Sequence, residues 1–206
     1  MRQIISRILS GRMSSGAVIL VMNAAYIATA SAATPMAPSS FQALHVFNRA
    51  GDGQAPMADV QVDSDGNLFG SAEFGGSNGF GAIFMLQLPA TRKINWTEKV
   101  IFPFADGDDG GFPGSPLSFA SNGNLTSSTL MGGSANHGTI FRLSPPVNAN
   151  DSWAENALFN FLGANEGDGD GPLGPLLVQP NGTILGTSSF GGTCNCGSIF
   201  QLMVSS

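Results

Sequence analysis

One stretch decides the fold of this chain: residues 52–86 read DGQAPMADVQVDSDGNLFGSAEFGGSNGFGAIFML. The same block returns at residues 109–143 and again at residues 168–202, without a gap in any copy. Each copy begins with Asp-Gly, continues through an apolar stretch and a Gly-containing turn, and ends with Gly-Gly and Gly-x-Ile-Phe-x-Leu. Such self-similarity predicts a stack of near-identical supersecondary units.

Each unit contains four short apolar runs, which in the first copy lie near residues 41–47, 57–63, 67–74 and 81–88. The connections between the runs are too short for a crossover helix, so antiparallel pairing in a four-stranded meander is expected. The last run is apolar on both faces, as in a sheet that is covered on both sides. The sequence therefore predicts an all-β, β-propeller-like array of three four-stranded antiparallel blades.

Two aromatic residues, six positions apart, precede each block. They are Phe41 and Phe47, Trp96 and Phe102, and Trp153 and Phe159. When the three copies are aligned on these aromatic residues, the loop from the second aromatic residue to the first Asp of the block lengthens from copy to copy. A loop of variable length is expected to face solvent. The repeats then span about residues 41–90, 96–147 and 153–204 of a domain covering residues 34–206.

Three blades are fewer than the four to eight of typical closed propellers. The array is thus expected to stay incomplete, to be part of a longer array, or to be completed by association of two chains. Association with a second copy is the favoured hypothesis, because three blades leave sheet faces and strand edges uncovered.

Residues 1–33 have the composition of an export signal. Arg2, Arg7 and Arg12 give a basic start, and a mostly apolar run at residues 17–30 follows. Small residues at positions 30–32 fit a signal peptidase site, so cleavage near Ala32 or Ala33 is expected. The apolar run contains Asn23 and is short for a bilayer span, and no stable membrane span is predicted in the mature chain.

The acidic balance of the chain restricts its partners. The formal net charge is −6, and it becomes −9 without the three N-terminal arginines. Such a surface repels nucleic acid phosphates and anionic headgroups, so nucleic acid is not an expected partner. Divalent cations, neutral glycans and other surface proteins remain compatible with this charge.

The block with its Gly-Asn-Leu-Phe-Gly turn and its Gly-x-Ile-Phe ending resembles the GloVer tandem repeat of exported bacterial proteins, whose members differ in their surface anchoring. The resemblance covers essentially the whole predicted mature chain. It implies an extracytoplasmic, propeller-like repeat protein without an assigned biochemical activity. The later copies depart from the pattern, since the Asn67-Leu68-Phe69 of the first copy becomes Thr183-Ile184-Leu185 in the third.

The clearest candidate metal ligands are Glu166, Asp168 and Asp170. Carboxylates at alternate positions of a glycine-rich turn can converge on one calcium ion. The alternative is turn chemistry, because Asp and Gly populate tight turns for local reasons. No other cofactor is predicted.

Cys194 and Cys196 are the only cysteines. Export would place them in an oxidising compartment, where a disulfide between them is a candidate. The one-residue spacing closes a small, strained ring, so two free thiols in a loop are favoured. Intermolecular pairing is a third option.

Catalytic signatures are weak. His45 lies between apolar neighbours and is expected to be packed, and His137 occupies a position held by Phe80 and Cys196 in the other copies. Glu98 and Glu155 are interpreted as surface charges. The sequence therefore favours an exported, non-enzymatic binding or interaction module at the cell surface or outside the cell. The alternatives are a secreted carbohydrate-active enzyme on a propeller scaffold and a purely structural repeat array without a ligand.

Overall fold

A computed structural model describes residues 41–49, 51–90, 96–148, 150–163 and 168–204. Within these ranges the chain is all-β, with fourteen strands and no helix. The strands are β1 (Gly53–Gln54), β2 (Gln61–Val62), β3 (Leu68–Ala72), β4 (Phe74–Gly75), β5 (Ala82–Gln87), β6 (Thr97–Pro103), β7 (Ser118–Phe119), β8 (Leu125–Thr129), β9 (Thr139–Ser144), β10 (Ala154–Asn160), β11 (Gly169–Pro172), β12 (Leu177–Val178), β13 (Thr183–Gly191) and β14 (Ser198–Met203).

The strands form three four-stranded antiparallel sheets, as the repeat predicts, together with a small β1-β4 pair. The first sheet has the order β2-β3-β5-β6, and the second has the order β7-β8-β9-β10. In the third sheet β11 and β12 both pair with β13, and β14 pairs with its other side. The array is blade-like and is not closed into a ring.

The sheets are offset from the sequence repeat by one strand. The strand that precedes each block pairs with the last strand of the preceding block, so β6 completes the first sheet and β10 completes the second. Both pairs carry a β-bulge at the same place, where Val100 and Phe102 or Ala157 and Phe159 face consecutive residues. Residues 41–47, the first of the expected strands, belong to no strand.

Aromatic contacts correct the alignment of the first copy by two positions. Three edge-to-face pairs repeat between consecutive sheets: Phe47 with Phe84, Phe104 with Phe141, and Phe161 with Phe200. Phe47 is therefore equivalent to Phe104, and His45 takes the place of Phe102. The expected stepwise lengthening of the following loop is wrong, because the loop has equal length in the first two copies and is longer only in the third.

The core lies between the sheets and is built from the strand that is apolar on both faces. Ile83, Ile140, Phe141 and Leu143 are fully buried in β5 and β9. Phe104 packs with Ile83, Phe141 and Leu143 from the end of the strand that crosses between the first two sheets. Burial on both faces explains why these strands do not alternate between apolar and polar residues.

Serine hydroxyl groups, one buried and one half-buried, join neighbouring repeats. Ser71 Oγ on β3 donates a hydrogen bond to the carbonyl oxygen of Ser115 at 3.0 Å. Ser118 Oγ on β7 donates to the carbonyl oxygen of Leu176 at 2.9 Å, which joins the second repeat to the third. Because buried polar groups are costly without a partner, these bonds fix how the sheets pack.

The glycine that opens Gly-x-Ile-Phe is required by its backbone. Gly81 has a φ of +93°, and Gly138 and Gly197 repeat this left-handed geometry. A Cβ at Gly81 would lie 2.6 Å from the carbonyl oxygen of Glu73. Other residues would therefore be strained here. In the described part of the chain, no helix is long and apolar enough to cross a membrane.

The Phe104–Phe141 contact is expected to be a main determinant of stability. Phe141→Ala should lower the free energy of unfolding by about 3–5 kcal/mol, because it leaves a cavity between two sheets. Urea unfolding followed by fluorescence measures the change. Phe190→Ala removes a ring that is 52% exposed and is the matched control, with a smaller expected loss. Equal losses in the two variants would contradict this view of the core.

Candidate functional site

The Asp that opens each block closes the loop that precedes it. Its carboxylate accepts hydrogen bonds from backbone amides at the start of that loop. The donors are Asn48 and Arg49 for Asp52 (3.3 and 2.9 Å), Ala105 and Gly107 for Asp109 (2.8 and 3.1 Å), and Leu162 for Asp168 (3.0 and 3.2 Å to its two oxygens). Asn48, Ala105 and Leu162 are equivalent positions, so this carboxylate has the same structural role in all three copies.

A buried glutamate accompanies the Asp at the first two junctions. Glu98 on β6 and Glu155 on β10 occupy equivalent positions of their repeats, two positions after Trp96 and Trp153. The Glu98 side chain is only 5% exposed, and its Oε1 accepts a hydrogen bond from the amide of Gly53 at 3.3 Å. The expectation that these residues are surface charges without a common register is wrong. Their alternation with Val100 and Ala157 was the signal that they point inward.

Burial changes the ionisation of these carboxyl groups. It raises the pKa of Glu155 to about 7, and the negative charge of Asp109 adds to the shift. Burial also raises the pKa of Glu98, with a further contribution from Asp52, although the Gly53 amide opposes the rise. Each of these junctions thus holds a glutamate with a raised pKa beside an aspartate.

The pKa of Asp52 moves the other way. Burial alone would raise it, but the amides of Arg49 and Asn48 stabilise the carboxylate and hold its pKa below the usual value. At the first junction a lowered and a raised pKa therefore stand side by side, an arrangement that also occurs in acid–base catalysis.

His45 adds an imidazole to the first junction only. Its Nε2 lies 3.1 Å from Oε2 of Glu98. One ligand atom each from His45, Asp52 and Glu98 lie within 4.8 Å of one another, a donor set that a divalent cation can share. Neither His45 Nε2 nor Glu98 Oε2 makes a hydrogen bond within the described part of the chain. The second junction keeps the carboxyl pair, with Phe102 in place of the histidine.

A polar cleft of about 450 Å³ lies between the second and third sheets. The β7–β8 and β12–β13 turns form its walls, and Arg142 on β9 contributes a guanidinium group. Hydroxyl and amide side chains and one aromatic ring make up most of the lining. They are Ser118, Phe119, Ser121, Asn122, Asn124, Thr126 and Gln179. No carboxylate or histidine is among the lining residues. The sequence did not indicate this cleft, because its walls come from turns of two different repeats.

The whole chain was compared with known families and proteins. Residues 13–206 match the family described as the Gloeobacter/Verrucomicrobia repeat. The chain belongs to this family. The match confirms the GloVer-type resemblance that the tripled block indicates. No curated protein matches the chain.

The residues predicted to bind calcium do not all lie in the described structure. Glu166 lies outside the described residues. Both carboxylate oxygens of Asp168 accept a hydrogen bond from the amide of Leu162, and Asp170 Oδ1 lies 3.0 Å from Nδ1 of His137. Calcium binding stays a prediction, with two of its three proposed ligands already in contact with protein groups.

The two cysteines lie close together. The sulfur atoms of Cys194 and Cys196 are adjacent in the turn between β13 and β14. Cys196 Sγ also contacts the carbonyl oxygen of Cys194 at 3.3 Å. A disulfide between them stays a prediction.

Stability should depend on the protonation of Glu155. The folded-state pKa of Glu155 lies above the usual 4.5. Its contribution to the free energy of unfolding is therefore fully present at low pH and is lost as pH rises from about 4.5 to about 7. Across this pH window the melting temperature of the unmodified chain should therefore fall by a few degrees relative to that of Glu155→Gln. Asp59→Asn, at an exposed site, is the control. Parallel melting curves for the unmodified chain and Glu155→Gln would contradict the assignment.

Proposed function

We propose that this repeat protein is an exported, non-enzymatic binding module that takes a segment of a neutral, hydroxyl-rich polymer such as a glycan into the polar cleft. The observation that carries the proposal is the lining of the cleft. Amides, hydroxyls and one guanidinium group supply donors and acceptors for sugar hydroxyls, and Phe119 offers an apolar face.

The position of the carboxyl groups favours binding over hydrolysis. Glycoside cleavage by the usual route needs two carboxyl groups on either side of the scissile bond. The recurring pairs, Asp52 with Glu98 and Asp109 with Glu155, belong to the packed junctions and do not line the cleft. A secreted carbohydrate-active enzyme is thus the weaker alternative, and it would have to use the first junction, where the two pKa values diverge.

Charge supports a neutral ligand. The mature chain has a formal charge of −9, so an anionic polymer would meet repulsion over most of the surface. Arg142 is the one charged group in the cleft lining. A single guanidinium group can orient a hydroxyl or an acetyl oxygen without making the site selective for anions.

Export is the second part of the proposal. The basic start, the apolar run and the small residues of 1–33 support it. The adjacent sulfur atoms of Cys194 and Cys196 could form a disulfide, which an oxidising compartment favours. A structural array without a ligand remains the alternative if no binding is found.

Binding should be measurable with neutral oligosaccharides. Titration calorimetry with a panel of cello-, xylo-, malto- and manno-hexaoses should find a binder, and Asn124→Ala or Arg142→Ala should weaken it by about 3- to 10-fold through lost hydrogen bonds. Asn156→Ala, exposed on β10 and outside the cleft, is the control. Absence of binding to every sugar, or chromatographic detection of shortened products, would refute a non-enzymatic glycan-binding module.

Residues 1–33 should direct export on their own. Fused to alkaline phosphatase that lacks its own signal, they should give activity in intact bacterial cells, because that enzyme needs an oxidising compartment for its disulfides. Mass spectrometry of the exported chain should place its first residue at Ala33 or Thr34. A fusion in which residues 17–30 are deleted is the control. Equal activity with and without the apolar run would contradict the signal assignment.

A further inference from the structure

The third sheet lacks a strand that the first two sheets contain. In the first sheet β6 pairs with the outer side of the apolar strand β5, and in the second sheet β10 pairs with the outer side of the apolar strand β9. The equivalent strand β14 pairs only with β13 within the described part of the chain. The face of the third sheet is also uncovered: Ile83 and Ile140 pack against the following sheet and are 0% exposed, whereas the equivalent Ile199 is 86% exposed.

The segment at residues 41–47 lacks the sheet that its equivalents pair with. In the first repeat this segment occupies the position that β6 has in the second repeat and β10 has in the third. Its side chains already make the forward contacts of those strands, because His45 stacks edge-on with Phe47 and Phe47 with Phe84. Nevertheless, residues 41–47 form no strand. The described chain thus has an unpaired strand edge near one end and an unpaired strand sequence near the other.

An apolar cavity marks the place of the missing strand. It has a volume of about 240 Å³ and is lined on one side by Ile140, Phe159 and Phe161. β14 lines the other side, chiefly with Ile199, Phe200 and Leu202, and Asp168 and Gly169 complete the lining. At the corresponding place in the second sheet lies β10.

We propose that residues 41–47 of one copy pair antiparallel with β14 of a second copy, and that the second copy makes the same contact in return. The internal β9–β10 pairing supplies the register. It places Gln42 opposite Gln201, Ala43 opposite Phe200 and His45 opposite Ile199, with Leu44 as the bulge residue. Two chains then form a ring of six sheets with two identical junctions. This inference goes beyond the proposed function, since it needs no ligand.

Three observations select a second copy as the occupant. Three sheets are too few for a typical closed propeller, whereas six lie within the usual range of four to eight. A dimer with two-fold symmetry pairs residues 41–47 and β14 of both copies at once. Residues 41–47 and 198–203 contain no Asp, Glu, Lys or Arg, so the two strands meet without the repulsion expected elsewhere on this acidic protein.

The molecular mass of the protein in solution tests whether two copies pair. Native mass spectrometry and light scattering of the purified chain, with and without residues 1–33, should give a dimer. Ile199→Lys should raise the dissociation constant by about 100-fold or more, because it places a charge in the junction. Leu177→Lys is the matched control, since Leu177 is 60% exposed on the opposite edge of the same sheet and should leave the dimer intact. Circular dichroism verifies that both variants fold.

A cross-link tests the register. In a chain with Cys194→Ser and Cys196→Ser, the variant with Gln42→Cys and Gln201→Cys should form a covalent dimer on mild oxidation. The variant with Gln42→Cys and Leu177→Cys should not. A monomer at micromolar concentration, an open ladder of oligomers, an intrachain cross-link, or a dimer unaffected by Ile199→Lys would each overturn the proposal.

Discussion

The strand that crosses from one sheet to the next holds this structure together. Its first part completes the preceding sheet by hydrogen bonds, and the phenylalanine after it packs on the next sheet. Phe104 on Phe141 and Phe161 on Phe200 are the clearest cases. One short segment therefore fixes both the edge of one sheet and the face of its neighbour. The Gly-x-Ile-Phe ending of the block recurs because it supplies both contact surfaces.

The carboxyl pairs depend on the same crossing strand. It carries Glu98 back toward Asp52 and Glu155 back toward Asp109, the Asp that opens the preceding block in each case. A carboxyl group placed in low dielectric beside another one costs stability when ionised, so the pKa values of both glutamates are raised. The pair belongs to the packing of the junctions, and His45 adds a further donor at one of them only. The polar cleft, by contrast, is free of carboxylates and is formed by turns whose side chains differ between copies.

The spacing of the block was enough to predict all-β meanders and the buried apolar strand. It was not enough to align the first copy, because two phenylalanines at alternate positions, such as Phe102 and Phe104, lie on the same face of a strand. Only the contact with Phe141 shows which of them is equivalent to Phe47. The buried glutamates were missed for a related reason: a charged residue in an alternating strand is usually exposed, and burial depends on the neighbouring sheet.

The sequence by itself determined the number of repeats, the strand type and the places of the tight turns, because these depend on local periodicity and on glycine geometry. Tertiary structure decided which strand belongs to which sheet, since hydrogen bonds between strands can join adjacent repeats as readily as they join residues within one. It also decided that the Glu98 side chain is buried and that of Glu155 half-buried, and that the turns at residues 120–124 and 179–182 form one cleft. Those properties arise only when residues of different repeats, far apart in the chain, are brought into contact.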